Sequence, residues 1–183
     1  QLQEKYDLLV SSYIKLAHSL FITSVNKPQI LSIVAQAVDA DEGKKSFLRT
    51  KLHDLMLDDY MQLKEQIGIK QLHFHLPNNE SFLRMHRPEK FGDDLTNVRE
   101  SVRLTNLNQT FTQGFEEGKI FNGFRYVFPL FYEQKHVGSV ELSISFTTLK
   151  GLLNSVFSSH YDFIVKADVV HAKVFENEQS NYL

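Results

Sequence analysis

The chain has 183 residues, a formal net charge of −2, and 42% hydrophobic and 23% charged residues. This length is enough for one domain with a hydrophobic core but short for two, and the charge gives no general attraction for nucleic acid or an anionic membrane. There are no cysteines, so disulfides, thiolate metal sites and cysteine nucleophiles are excluded.

The ends of the sequence bear on its relation to a membrane. No uninterrupted apolar run approaches the roughly 18 residues needed to cross a bilayer. The first residue is Gln1, without a starter methionine or a signal peptide. We therefore expect the sequence to be a fragment of a longer protein, with any membrane spans outside it.

The first third of the chain predicts helices. An apolar spacing of 4-3-4-3-4 predicts a long helix over about residues 2–24, on Leu2, Tyr6, Leu9, Tyr13, Leu16 and Leu20. This stripe suits either packing on its own domain or pairing with a second copy, and both remain open. A second helix begins near Pro28 and runs to residue 40, with a break at Gly43. A third follows residues 47–67, with Gly68 as its C-cap.

From residue 69 the apolar period changes from 3.6 to 2, which predicts a sheet. Strands are expected over 69–76 and 81–86, joined by a turn at Asn78-Asn79. A short helix over 98–107, capped by Thr96 or Asn97, precedes a strand over 110–115. A hairpin of two strong strands covers 121–132 and 136–146. A short helix over 149–157, a strand over 160–165 and a final helix over 167–175 complete the chain.

This order of elements predicts an α+β fold with one antiparallel sheet of five to six strands and the long N-terminal helices packed on one face. We see no repeat or linker, so the helical region 1–68 and the sheet region 69–183 should form one structural unit.

Sequence motifs of enzymes are missing. Gly-rich phosphate loops, HExxH, GxSxG and kinase signatures do not occur, so we predict no catalytic activity and no cofactor. His73 and His75 share one face of a strand and His86 could reach them, which makes a three-histidine metal site conceivable. Because a histidine on a strand more often points to water or makes a structural hydrogen bond, we predict no metal site.

Two arginines in apolar strands are the sharper signal. Arg84 lies between Leu83 and Met85, and Arg125 lies in FNGFRYVFPLF. Burying an unpaired guanidinium costs several kcal/mol, so each predicts an anionic partner. That partner is either internal, such as Glu116 or Glu141, or a ligand carboxylate held by two parallel hydrogen bonds. Composition alone slightly favours the internal pair.

The loop of the strong hairpin decides whether one of these internal pairs can form. A two-residue turn at Gln134-Lys135 would set Arg125 and Glu141 on opposite faces of the sheet. A three-residue loop would pair Val127 with Glu141 and bring the arginine to the same face.

Three segments, FLRMHRPEKFGDDL, GFEEG and FRYVFPLFYEQKHVGSVELSISF, occur in this order. They resemble the single-Cache, PAS-like extracytoplasmic sensor domains of bacterial transmembrane receptors, similar in outline to citrate and dicarboxylate sensor kinases. The resemblance covers about residues 70–147, and the N-terminal helix by architecture only. It implies a PAS-like sheet, a periplasmic location and a long helix that continues from a membrane span. The signal would pass to a kinase, diguanylate cyclase or chemotaxis output outside this chain.

The resemblance also implies a ligand site. The pocket arginine and histidine of the family fall on Arg84 and His86, and its second arginine falls on Arg125. We add to the predicted ligand-binding residues His75, Phe115, Glu116 and Glu141. The Arg84-Met85-His86 spacing is one residue tighter than in the citrate sensors, and Val127 stands where those sensors can offer a cation. A monocarboxylate, or a molecule with both carboxylate and amine, is therefore expected.

The predicted function is an extracytoplasmic ligand-binding sensor domain of a bacterial signal-transduction receptor. Its partner would be a small organic acid or amino acid and not nucleic acid. We expect the full-length protein to be anchored in the membrane and to form a homodimer through the N-terminal helix. The alternative is a ligand-free structural or interaction module in which both arginines are paired internally.

Overall fold

The computed structural model describes residues 2–116 and 123–156. Three helices form the N-terminal part: α1 (Leu2–Leu20), which continues as a π-helical turn (Phe21–Val25), α2 (Pro28–Ala37) and α3 (Glu42–Gln62), which continues as a second π-helical turn (Leu63–Ile67). Pro28 occupies the first position of α2, where its missing N–H is not needed. Asp41 caps α3 by accepting a hydrogen bond of 2.8 Å from the backbone nitrogen of Lys44. The predicted break at Gly43 is therefore wrong, because Gly43 lies in the first turn of α3. Gly68, with a left-handed φ of 77°, ends the last turn, as predicted.

Five strands form one antiparallel sheet in the order β2-β1-β5-β4-β3. They are β1 (Ile69–His75), β2 (Ser81–Arg84), β3 (Thr112–Glu116), β4 (Gly123–Tyr132) and β5 (Lys135–Ser145), with α4 (Glu100–Asn108) before β3 and α5 (Phe146–Val156) after β5. The expected α+β architecture is confirmed. The predicted strand over 160–165 and helix over 167–175 lie outside the described residues. The predicted caps of α4 are wrong, because Arg99 is its N-cap and residues 96–98 form a turn.

One face of the sheet is apolar and packs on the N-terminal helices. Its buried side chains alternate along three strands, and they include Leu72, Phe74, Phe124, Tyr126, Phe128, Val140, Leu142 and Ile144. Helix α2 contacts β4 and β5, and the ring of Phe21 stacks on that of Phe128 at 4.5 Å. In α1, Tyr13, Ala17 and Leu20 are buried in the same core. The apolar stripe of α1 therefore packs on its own domain.

The opposite face of the sheet is polar, although it is also buried. We call this set the polar face: Gln71, His73, His75, Arg125, Ser139, Glu141 and Ser143. Helix α4 contacts β3, β4 and β5. Asn106 on this helix donates from Nδ2 to the carbonyl oxygen of Leu76 at 3.0 Å, which ties α4 to the end of β1. The sheet therefore buries apolar side chains on one face and polar side chains on the other.

The register between β4 and β5 sets which groups meet on the polar face. The turn consists of two residues, Glu133 and Gln134, with left-handed φ values of 49° and 65°. A bulge follows, because Phe131 pairs with His136 but Leu130 pairs with Gly138. The extra residue in β5 shifts the register, so that Val127 pairs with Glu141. Arg125 and Glu141 consequently share a face, as the second predicted alternative required, although by a bulge and not by a three-residue loop.

Candidate functional site

Arg125 is the centre of the polar face. Its side chain is fully buried, and its Nη1 donates to Oε1 of Glu141 and to Oε1 of Gln71, the latter at 3.0 Å. Its Nε lies 3.1 Å from Oε2 of Glu116. Strands β1, β3, β4 and β5 each supply one member of this network. Both internal carboxylates considered from the sequence therefore contact the arginine.

Glu141 is also fully buried. Burial raises the pKa of its carboxyl group, but the charges of Arg125 and Arg99 outweigh this effect, and the pKa is lowered to about 2. The group is therefore a carboxylate at neutral pH. Its Oε1 is bound to Arg125, whereas Oε2 has no hydrogen-bond partner among the described residues.

Arg84 makes a different ion pair. Its Nη1 and Nη2 donate to the two carboxylate oxygens of Asp93, each at 2.8 Å, and Nη1 also donates to the carbonyl oxygen of Lys90 at 2.8 Å. The hydrogen bonds from Arg84 lower the pKa of Asp93. This parallel geometry is the one by which arginine holds carboxylates. The arginine fixes the loop after β2, and its partner is an acid that the sequence reasoning did not consider.

Two histidines line up on β1 beside Glu141. His73 pairs across strands with Glu141, and its Nε2 lies 2.8 Å from Oγ of Ser81. His75 has its Nδ1 3.1 Å from Oγ of Ser139. The two rings lie 4.1 Å apart. One nitrogen of each ring and one carboxylate oxygen of Glu141 all lie within 4.8 Å of one another, which is the arrangement of a possible metal site.

Both β1 histidines, and His86 after β2, are kept neutral. Burial lowers the pKa of His75 to about 3, against the opposing charge of Glu141, and lowers the pKa of His86 to about 4. Burial also lowers the pKa of His73 well below its usual value. The ring of His86 lies 6.3 Å from that of His73. At neutral pH all three imidazoles can donate one hydrogen bond and offer one lone pair.

The remaining predicted site residue lies elsewhere. Phe115 in β3 is 43% exposed and pairs with Phe124, whose ring it meets at 5.9 Å. Since Phe124 belongs to the apolar face, Phe115 lies on the opposite side of the sheet from Arg125. The structure thus brings together Arg125, Glu116, Glu141 and His75. The ring of His86 lies near that of His73.

Sequence reasoning missed Arg99. This residue precedes α4, and its charge lowers the pKa of Glu141 and of His75. Burial and the charge of Arg125 lower its own pKa. Its neighbours in the sequence, Val98 and Glu100, are exposed, so no apolar pattern indicated that it approaches the polar face. Ser101, in the first turn of α4, donates to Oε2 of Glu116 at 2.8 Å and links this helix to β3.

The sequence of this domain matches a known protein family. Residues 23–161 match the model of dCache_3, described as the double sensory domain of two-component sensor kinases. The chain belongs to this Cache family. The expected Cache relationship is confirmed, and the matching description is of a double sensory domain, whereas the sequence resembled the single type. The family is sensory and not catalytic. A search of curated proteins found no match.

Solved structures share the Cache fold. The sensor domain of the histidine kinase DctB from V. cholerae matches with a TM-score of 0.57 and 14% identity, over 81% of this chain and 56% of that one. The sensory domain of the Campylobacter jejuni chemoreceptor Tlp3, with isoleucine bound, matches with a TM-score of 0.51 and 14% identity, over 83% of this chain and 62% of that one. The chain therefore spans less than two thirds of either structure.

The N-terminal helix is rich in apolar residues. Within the described residues, Gln3–Val25 is long and apolar enough to cross a membrane by length and composition. Core helices pass the same test, and Tyr13, Ala17 and Leu20 of this helix are buried against the sheet. The helix is thus compatible with a membrane span and is also part of the domain core.

Proposed function

We propose that this Cache domain is the extracytoplasmic sensor of a bacterial membrane receptor, and that it binds a small carboxylate-bearing molecule on its polar face. The observation that carries the proposal is the fully buried Arg125 with its ionised partner Glu141. A buried ion pair often contributes less stability than apolar residues of the same volume would. Such a pair is therefore better explained by recognition of a charged group than by stability.

The chemistry of the network favours a ligand with both a carboxylate and an amine. A guanidinium holds a carboxylate by two parallel hydrogen bonds, and Glu116 and Glu141 could accept hydrogen bonds from an ammonium group. The C. jejuni chemoreceptor was solved with isoleucine, which carries both groups. The other polar groups on β1 and β5 supply further donors and acceptors. An amino acid or a monocarboxylate fits better than a tricarboxylate, which would need more cations.

The ligand would act by replacing internal contacts. In the described conformation Glu141 neutralises Arg125, so an incoming carboxylate would compete for the guanidinium. Glu116 connects this arginine with Ser101 in α4, so movement of the carboxylate would shift α4 against β3. Only a difference in ligand affinity between the two arrangements can drive such a change. The signal would then pass from the sheet to the terminal elements and across the membrane.

A thermal-shift screen of amino acids and small organic acids tests this proposal. A true ligand at about 100 times its Kd should raise the Tm by about 5–10 °C. The double variant Arg125→Gln with Glu141→Gln removes both buried charges together and keeps polar groups of similar size. It should retain the fold by circular dichroism and lose the shift. Arg103→Gln, a change at the exposed side of α4, should keep the shift.

A ligand-free interaction module is the competing function. The observation that favours it is that Arg84 and Arg125 already have carboxylate partners in Asp93 and Glu141. If no compound in the screen changes the Tm, or if the double variant responds like the unaltered domain, this second function replaces the first.

We further infer that two copies pair through the outer side of α1. The stripe predicted for pairing packs on the sheet, but Leu8 and Ile22 are 62% and 63% exposed. Leu8 lies in α1 and Ile22 in the π-helical turn that continues it, so both leave apolar surface exposed along the N-terminal helix. Sedimentation equilibrium should show a dimer that Leu8→Lys with Ile22→Lys converts to a monomer. Phe47→Lys, at an exposed position of α3, should leave the dimer intact. A monomer mass at every concentration would contradict pairing.

A further inference from the structure

The polar face contains three metal donors, of which the two β1 histidines are not needed for the proposed contacts with the ligand carboxylate and amine. We propose that His73, His75 and Glu141 form a binding site for a divalent transition-metal ion. One donor atom from each residue lies within 4.8 Å of the other two, and all three side chains are buried. This inference goes beyond the proposed ligand site, and its test uses the metal ion alone.

The sheet itself places the three donors. His73 and His75 are two residues apart on β1, so their side chains point to the same face. Glu141 lies directly opposite His73 on the neighbouring strand β5. A His-x-His pair on one strand and a carboxylate on the next is therefore held by backbone pairing and not by a loop. Donors on paired strands are positioned more precisely than donors on loops.

Neighbouring hydroxyl groups hold both imidazoles. The Oγ of Ser81 engages Nε2 of His73, and the Oγ of Ser139 engages Nδ1 of His75. These bonds leave Nδ1 of His73 and Nε2 of His75 for a metal ion. In metal sites the second ring nitrogen commonly donates to a polar group that fixes the orientation of the ring. The two serines meet this requirement.

Two polar atoms of these side chains lack a hydrogen-bond partner among the described residues. Nε2 of His75 and Oε2 of Glu141 are buried without a hydrogen bond among the described residues, and buried polar atoms are normally satisfied. A metal ion between them would satisfy both. Metal–ligand bonds of about 2.1 Å separate the donors of a tetrahedral site by about 3.4 Å. Donor atoms that now lie as far as 4.8 Å apart would thus have to move about 1 Å closer to one another when a metal ion binds.

The donor set selects the class of ion. Two neutral imidazoles and a carboxylate suit zinc and its first-row neighbours, whereas calcium and magnesium prefer oxygen ligands throughout. The charges of Arg125 and Arg99 oppose a cation here, and the carboxylates of Glu116 and Glu141 offset them. Three protein donors leave at least one position for water or an anion.

Titration of the untagged, chelator-treated protein with zinc chloride tests the site, with calorimetry for affinity and the visible absorption of Co²⁺ for geometry. We expect one equivalent to bind, with a cobalt spectrum of low coordination number. His75→Gln should weaken binding by more than about tenfold, and Ser139→Ala, which removes only the hydroxyl partner of the ring, by about tenfold. His53→Gln, which changes a histidine on α3, should bind like the unaltered protein.

Several results would overturn the inference. They are the absence of stoichiometric zinc binding, unchanged affinity in both His75→Gln and Ser139→Ala, or loss of binding in His53→Gln. Ser139→Ala keeps the test valid if His75→Gln does not fold. The zinc titration contains no organic ligand, so a negative result would not contradict the proposed carboxylate site. A negative thermal-shift screen would likewise not contradict the proposed zinc site.

Discussion

Gly138 shows how a single residue determines the geometry of the polar face. It has a φ of 138°, and a β-carbon built on it would lie 2.0 Å from the carbonyl oxygen of His75. The obstacle is backbone and cannot rotate away. Gly138 follows the bulge of β5 and precedes Ser139, the hydroxyl partner of the His75 ring. The close approach of β1 and β5 at this point therefore depends on the missing side chain.

Gly138→Ala should be severely destabilising. The new methyl group would force the two strands apart and would also strain a backbone conformation that alanine rarely adopts. We expect the free energy of unfolding to fall by about 3 kcal/mol or more, measured by urea denaturation. The matched control is Gly114→Ala in β3, where nothing lies within 4 Å of an added β-carbon and a change within about 0.5 kcal/mol is expected. Equal effects of the two substitutions would refute this account.

Most of the helices and strands followed closely from the sequence. Pro28, Gly68 and the change of period near residue 69 located the start of α2, the end of the turn after α3 and the start of β1, whereas α3 begins five residues before its predicted start. The reason is that these signals are local: a proline or a left-handed glycine acts on its own turn. The apolar alternation of β4 and β5 likewise predicted their pairing.

The hairpin of β4 and β5 shows where local signals are insufficient. Neither Glu133 nor Gln134 is a usual residue for left-handed turn positions, so the turn was placed one residue late. That error alone leaves Arg125 and Glu141 on opposite faces, and it is the bulge beside Gly138 that brings them to the same face. A shift of one residue in the register moves every side chain to the other face. The sequence could therefore offer the contact between Arg125 and Glu141 only as one of two alternatives.

The candidate site was predictable in part for a similar reason. Arg125, with Glu116 or Glu141 as its partner, was recognisable because a charged residue inside an apolar strand needs a partner. His75 was noticed because it shares one face of a strand with His73. Arg99 was not recognisable, because it precedes a helix with little apolar pattern. Only the packing of α4 across the sheet brings its charge close to Glu141 and His75. The Asp93 partner of Arg84 depended likewise on the path of a loop. Tertiary contacts, and not composition, completed the site.

The sheet separates a hydrophobic core on one face from buried polar groups on the other. Its helix-covered face is a continuous hydrophobic core, which supplies the main driving force for folding. Its polar face buries charges and imidazoles, which return little stability. The stability of the apolar face therefore offsets the cost of the buried charges on the polar face, a cost that the proposed ligand site would explain.

The neutral histidines of the polar face should make the metal-free domain sensitive to mild acid. The pKa of His75 is about 3 in the fold, where burial and the charges of Arg84 and Arg99 lower it against that of Glu141, and about 6.5 in an unfolded chain. Between these values the unfolded state binds more protons, so stability falls as pH falls. From pH 7 to pH 5 this one group should remove about 2 kcal/mol of unfolding free energy. Urea denaturation with chelator present should show this decrease in unfolding free energy between pH 7 and pH 5. The decrease should be smaller in His75→Gln and unchanged in His53→Gln. An equal decrease in His75→Gln would mean that the buried imidazole of His75 does not cause the pH dependence.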